Sequence, residues 1–178
     1  RIWKSASRDR DLAENEPGKP PRIAFLNRVA GQKGDVGLQD LVAGVLRQGL
    51  DEGARGFSTG LIYTPGRFAP RDELVELARA AGEAGALYSS HIRSEGARLI
   101  EALDEALAIG RAAGTPVIIS HLKTAGEPNW KLINRALETI HKARQAGLRV
   151  AADRYPYISS WTDLDSIFPD WAAEGGRE

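Results

Sequence analysis

Four glycines at near-equal intervals constrain this chain more than any other feature. Gly53, Gly85, Gly114 and Gly147 follow one another at 32, 29 and 33 residues. Each stands in the same setting. A small residue and the glycine end a helical stretch, a short apolar run follows, and a polar residue closes it. The four segments read DEGARGFSTG, EAGALYSSHIR, AAGTPVIISHLK and QAGLRVAADRYPY. A glycine just past a helix supplies the left-handed conformation that ends it without a Cβ clash. A repeat of about 30 residues with this layout is a strand–helix unit, and successive units imply a parallel sheet.

The intervening stretches carry helical period. Leu74, Leu77, Ala78 and Ala81 mark one apolar stripe, Leu99, Ile100, Leu103 and Leu107 the next, and Ile133, Leu137 and Ile140 the third. The runs LYSS, PVIIS and RVAA are short and mostly apolar, as strands covered on both faces should be. An open doubly wound sheet normally carries a GxGxxG turn after its first strand, and STGLIYTPG lacks that spacing. A (β/α)8 barrel takes about 250 residues, so four units in 178 residues amount to roughly half of one. The expected fold is therefore α/β, of the TIM-barrel type, present as a central half-barrel segment. Residues 38–178 are read as its strand–helix repeats. Residues 1–37, which include the charged and proline-broken RDRDLAENEPGKPPR, are read as an irregular loop or lid, with RIAFLN at 22–27 as a candidate short strand.

Composition narrows the function classes. The formal net charge is zero and no long basic run occurs, which argues against a nucleic-acid partner. No stretch of apolar residues is long enough to span a membrane, and no signal-peptide pattern opens the chain; the expectation is a cytoplasmic protein with no membrane partner. The absence of cysteine excludes disulfides and thiolate ligands within these residues. Methionine is also absent, including at position 1, and the chain is read as a piece of something longer. An isolated half barrel would expose strand edges and an apolar helix face, so self-association into a homo-oligomer or aggregate is expected.

In a barrel, chemistry sits at the carboxyl ends of the strands. His91, His121 and Asp153 fall there, six or seven residues after their glycines. A single histidine in that slot reads as a hydrogen-bonded strand cap. Two in the same slot of successive repeats read as a pair of metal ligands, because neighbouring strands lie about 4.8 Å apart and their end residues converge. Neutral imidazoles suit Zn²⁺. Arg93 and Lys123 each follow their histidine by two residues and would place a cation at the rim, facing an anionic substrate group. Asp153 either orients a ligand histidine or caps a strand end. Tyr155 and Tyr157 flank Pro156, and one of their hydroxyls could donate to a substrate oxygen. His141 lies within a helix and reads as a surface residue. GFSTG only approximates a GxSxG nucleophile elbow.

Together, GARGFSTGLIYTPGRFA, YSSHIRSE, ISHLKTAGEPNW, DRYPY and FPDWAAEGG resemble the N-acyl-D-amino-acid deacylases, or D-aminoacylases, of the amidohydrolase superfamily. The resemblance runs from about Leu50 to Glu178. It implies a zinc-dependent barrel enzyme that hydrolyses the amide bond of N-acyl-D-amino acids, releasing a D-amino acid and a carboxylate. By that resemblance His91 and His121 are metal ligands, Lys123 binds the substrate carboxylate, and Tyr155 belongs to the same pocket, with Tyr157 an alternative. The family's early HxH pair and its cysteine ligand are absent, and the aspartate that acts as catalytic base is expected beyond Glu178. Three other readings stand beside this one: a dihydroorotase-like or hydantoinase-like amidohydrolase, a non-catalytic barrel remnant, and a phosphate-binding barrel isomerase. The HxK and YPY motifs weigh against the first, and the lack of a Gly-rich phosphate loop against the last.

Overall fold

A computed structural model describes residues 22–25, 36–162, 166 and 168–172. Five strands form one sheet: β1 (Arg22–Phe25), β2 (Ala54–Gly60), β3 (Leu87–His91), β4 (Val117–Ile119) and β5 (Val150–Ala152). Four helices alternate with them: α1 (Val36–Asp51), α2 (Arg71–Glu83), α3 (Leu99–Ala113) and α4 (Ile133–Gln145). Every strand pairs in parallel with the next in sequence, in the order β1-β2-β3-β4-β5. A doubly wound sheet reverses its strand order at a switch point; this one never does. Successive helices also pack against each other, α1 on α2, α2 on α3 and α3 on α4. The fold is thus a singly wound arc of a (β/α)8 barrel.

The repeat glycines do what their spacing predicts. Gly53, Gly85, Gly114 and Gly147 have φ of 97°, 69°, 68° and 88°, a region where a Cβ is strained. Gly114 is the C-cap of α3, its N–H returning to the carbonyls of Gly110 and Arg111.

Strand side chains alternate between two faces. Phe57, Tyr88, Val117 and Ile119 join the helices in one hydrophobic core, with the Phe57 and Tyr88 rings stacked at 5.6 Å. The stripes on α2 and α3 are buried as the period requires, with Leu103 and Leu99 fully enclosed; each such leucine contributes about 1.5–3 kcal/mol. On the opposite face of the sheet lie Ser58, Ser89 and, at the carboxyl end, His91.

Two expectations need correction. On α4 the buried face is Ala136, Ile140 and Ala143, while Leu137 is 53% exposed. The i, i+4, i+7 row through three positions turns Leu137 away from α3, and a small residue lets α4 approach where leucine was expected to fill. On β5, Ala151 and Ala152 are exposed, because β5 is a sheet edge with only β4 beside it. Most of residues 1–37, expected to be irregular, lies outside the described residues. Within that stretch Arg22–Phe25 is strand and pairs with β2, so the sheet begins before residue 38.

Candidate metal centre

The ends of β3 and β4 bring two imidazoles into contact. His91 is the last residue of β3. His121 lies two residues past β4, with φ of 41°, the one described non-glycine residue with positive φ. That conformation is sparsely populated for histidine and is held from outside. Asp153, one residue past β5, accepts a hydrogen bond from the His121 backbone N–H at 2.6 Å. The Leu122 N–H donates to the Asp153 carbonyl and the Asp153 N–H to the Ile119 carbonyl. Asp153 thereby orients His121 through its backbone and caps the turn after β4 with the same contact.

The turn aims the ring of His121 at that of His91. Their centroids are 4.5 Å apart with an edge-on arrangement, and His91 Nδ1 lies 2.5 Å from His121 Nε2. Burial lowers the His91 pKa, and the neighbouring His121 and Lys123 lower it further against the opposing charges of Asp153 and Glu95. A neutral imidazole is the form that binds metal.

The far side of His121 meets charge. Its Nδ1 is 2.8 Å from Glu95 Oε1 and 3.0 Å from Lys123 Nζ. Lys123 Nζ in turn donates to Glu95 Oε1 at 2.5 Å and to the His121 carbonyl at 3.2 Å. Both the lysine and the glutamate are largely buried, each side chain 13% exposed. Burial pushes the Glu95 carboxyl up, but hydrogen bonds from His121 and Lys123 and the lysine charge outweigh it and leave it below the ordinary carboxylate value. Glu95 escaped the sequence reading. It sits in the loop after β3, and nothing in YSSHIRSE distinguishes it from a solvated loop acid. Only the fold brings it to His121, with the Ala125 N–H donating to its backbone carbonyl at 2.7 Å.

Tyr155 borders the cluster. Its ring centroid is 6.4 Å from that of His121, and Lys123 Nζ lies 5.3 Å over it. The Arg154 guanidinium stands 4.4 Å from the same ring. Tyr157 is 67% exposed and stacks on Tyr155 with its ring centroid 6.3 Å away.

Arg93 departs from the expectation that it is a rim cation. Its guanidinium makes a bidentate pair with Glu105 on α3, at 2.9 to 3.2 Å, and donates to the backbone carbonyls of Arg67 and Ala69. One residue of strand-end geometry separates it from the Lys123 slot: it faces the helices and ties the β2–α2 loop to α3. His141 is exposed on α4, as read.

The donor set fits a divalent transition metal. Two imidazole nitrogens from adjacent strands face one point, one of them on a ring that burial keeps neutral, and a carboxylate stands behind the other. Metal-bound histidines commonly have such a carboxylate on their second nitrogen. Metal–nitrogen bonds of roughly 2.0–2.1 Å require the two rings to part slightly from their present contact. Among the described residues no group of three or more His, Cys, Asp or Glu side chains gathers at one point, so the histidines supply two donors. No described helix is long and apolar enough to cross a membrane.

No family model matches the chain. An N-acyl-D-glutamate deacylase from Alcaligenes xylosoxydans xylosoxydans is 48% identical over 120 residues, covering 67% of this chain and 25% of the relative. A D-aminoacylase from the same organism is 35% identical over 139 residues, 78% of this chain and 28% of the relative. Among solved structures, an N-acyl-D-glutamate deacylase from Bordetella bronchiseptica, complexed with zinc and a phosphonate mimic of the tetrahedral intermediate, superposes with a TM-score of 0.67 at 38% identity. The match covers 82% of this chain and 28% of that one. The chain thus spans about a quarter of the length of these relatives.

Proposed function

The chain belongs to the N-acyl-D-amino-acid deacylases of the amidohydrolase superfamily, and from that premise we propose that it serves the hydrolysis of the amide bond of N-acyl-D-amino acids. The products are a D-amino acid and a carboxylate. The observation that carries this reading is the contact of His91 Nδ1 with His121 Nε2, at 2.5 Å, across the ends of adjacent strands. These two nitrogens would hold the metal, with zinc the ion proposed because a relative of known structure contains it. A bound divalent ion supplies Lewis acidity, polarising the acyl carbonyl and making a water nucleophilic near neutral pH.

The chain's own residues position the substrate. Lys123 places a part-buried ammonium beside the histidines, suited to a substrate carboxylate. An ammonium has three N–H donors; Glu95 Oε1 and the His121 carbonyl take two, and the third serves the ligand when His121 Nδ1, 3.0 Å away, carries its own proton. The Tyr155 ring, with Lys123 Nζ 5.3 Å from its centroid, walls this side of the cluster. Asp153 keeps His121 in its turned conformation.

The test is enantioselective release of free amino acid. The complete enzyme that carries this segment, supplied with zinc, is offered N-acetyl-D-glutamate, N-acetyl-D-aspartate and N-acetyl-D-leucine beside their L forms. Release from D substrates alone, lost in His91→Ala and His121→Ala, is expected. Equal turnover of L substrates, or activity surviving both substitutions, sinks the reading.

A further inference from the structure

His121 Nδ1 stands between two groups that demand opposite things of it. Glu95 Oε1, at 2.8 Å, only accepts a proton. Lys123 Nζ, at 3.0 Å, only donates one. A neutral imidazole carries its proton on one nitrogen and a lone pair on the other. If Nδ1 donates to Glu95, the lone pair is on Nε2, which faces His91. If Nδ1 accepts from Lys123, the proton is on Nε2, and the face toward His91 is blocked to any metal.

We infer that Glu95 is a positioning residue that fixes His121 in its Nδ1–H tautomer and so sets both the metal-facing lone pair and the free donor of Lys123. The second consequence follows from counting. With Nδ1 as a donor, Lys123 keeps one N–H beyond those given to Glu95 Oε1 and the His121 carbonyl. With Nδ1 as an acceptor, all three are taken within the cluster, and none remains for a substrate carboxylate. One buried carboxylate therefore switches two binding functions together. Its location supports the role: the Glu95 side chain is 13% exposed, and its backbone carbonyl is fastened to the loop after β4 by the Ala125 N–H. The inference rests on the proposed metal-binding role of His121, but its first consequence can be read without any metal.

The experiment is long-range ¹H–¹⁵N correlation of the imidazoles in the metal-free purified protein, above the ordinary histidine pKa of about 6.5. Only three histidines are present, so assignment by His91→Gln and His141→Gln is direct. Wild type is expected to show His121 with its proton on Nδ1. Glu95→Ala and Glu95→Leu should move the proton to Nε2, while the His141 signals and far-UV circular dichroism stay as in wild type. Zinc affinity by titration calorimetry should fall about 10- to 100-fold in these variants, with recovery in Glu95→Asp. An Nδ1–H tautomer persisting in Glu95→Ala overturns the inference. If wild type takes no zinc, the metal reading fails, and the tautomer comparison still decides the role of Glu95.

Discussion

Asp153 Oδ1 holds the backbone N–H of His121 at 2.6 Å, across the gap between β4 and β5. The contact matters because His121 sits at φ 41°, which an unsupported histidine would leave. Asp153→Ala should therefore release the turn and misdirect the imidazole. We expect a stability loss of about 1 kcal/mol, since the carboxylate is exposed, and a larger proportional loss in zinc affinity. Urea denaturation and zinc titration of the same variant measure the two. Unchanged zinc affinity would show that the turn holds itself.

Arg93 and Glu105 make the complementary case, a charged pair that is structural. Both side chains are about one-fifth exposed. Arg93→Ala leaves Glu105 without its bidentate partner and removes two hydrogen bonds to backbone carbonyls. The expected cost is about 1–3 kcal/mol, seen as a lower urea midpoint. Zinc affinity and D-substrate KM should stay near wild type; a raised KM would return Arg93 to the site.

Two helical glycines should respond in opposite directions to the same substitution. A Cβ on Gly110, in α3, would run into the Val117 side chain on β4. Gly110→Ala should cost about 1–3 kcal/mol through overpacking of the helix on the sheet. Gly44, in α1, has nothing within 4 Å of its would-be Cβ. Gly44→Ala should gain about 0.5–1 kcal/mol from helix propensity alone. Thermal or urea unfolding of the pair checks both signs.

Tyr88 gives a pH signature. Burial raises its pKa above 10.0, and hydrogen bonds from Ser90 and Thr59 only partly offset this. A raised folded-state pKa means that the neutral phenol stabilises the fold fully below the unfolded value. That contribution is lost as pH climbs above about 10 toward the folded value. Alkaline unfolding should thus be steeper in wild type than in Tyr88→Phe. Phenolate absorbance of Tyr88, taken as the difference between the two proteins, should appear only with unfolding. A Tyr88 signal rising at pH 10 in folded protein would contradict its enclosure.

The glycine period carried most of the fold. Gly53, Gly85, Gly114 and Gly147 fix where each helix must end, and the residues after them are strands in register. The same period exposed the histidine pair, because a shared slot in successive repeats becomes a shared place at the sheet's carboxyl end. What a one-dimensional pattern lacks is the direction of a side chain beyond the strand. Arg93 and Lys123 hold matching positions, yet one turns to α3 and the other to His121. Glu95 lies four residues past His91 in a loop without period, and only the chain's path brings it under the neighbouring strand's histidine. Leu137 shows the same limit on a helix, where a one-residue shift of the buried row exposed a leucine and buried an alanine.

The central claim is that His91 and His121 together hold a metal. Zinc titration calorimetry on the purified protein, with His91→Ala, His121→Ala and His141→Ala alongside wild type, tests it most directly. The account predicts a saturable zinc site in wild type and His141→Ala that disappears in each of the other two. Zinc binding of wild-type strength in either His91→Ala or His121→Ala would contradict it.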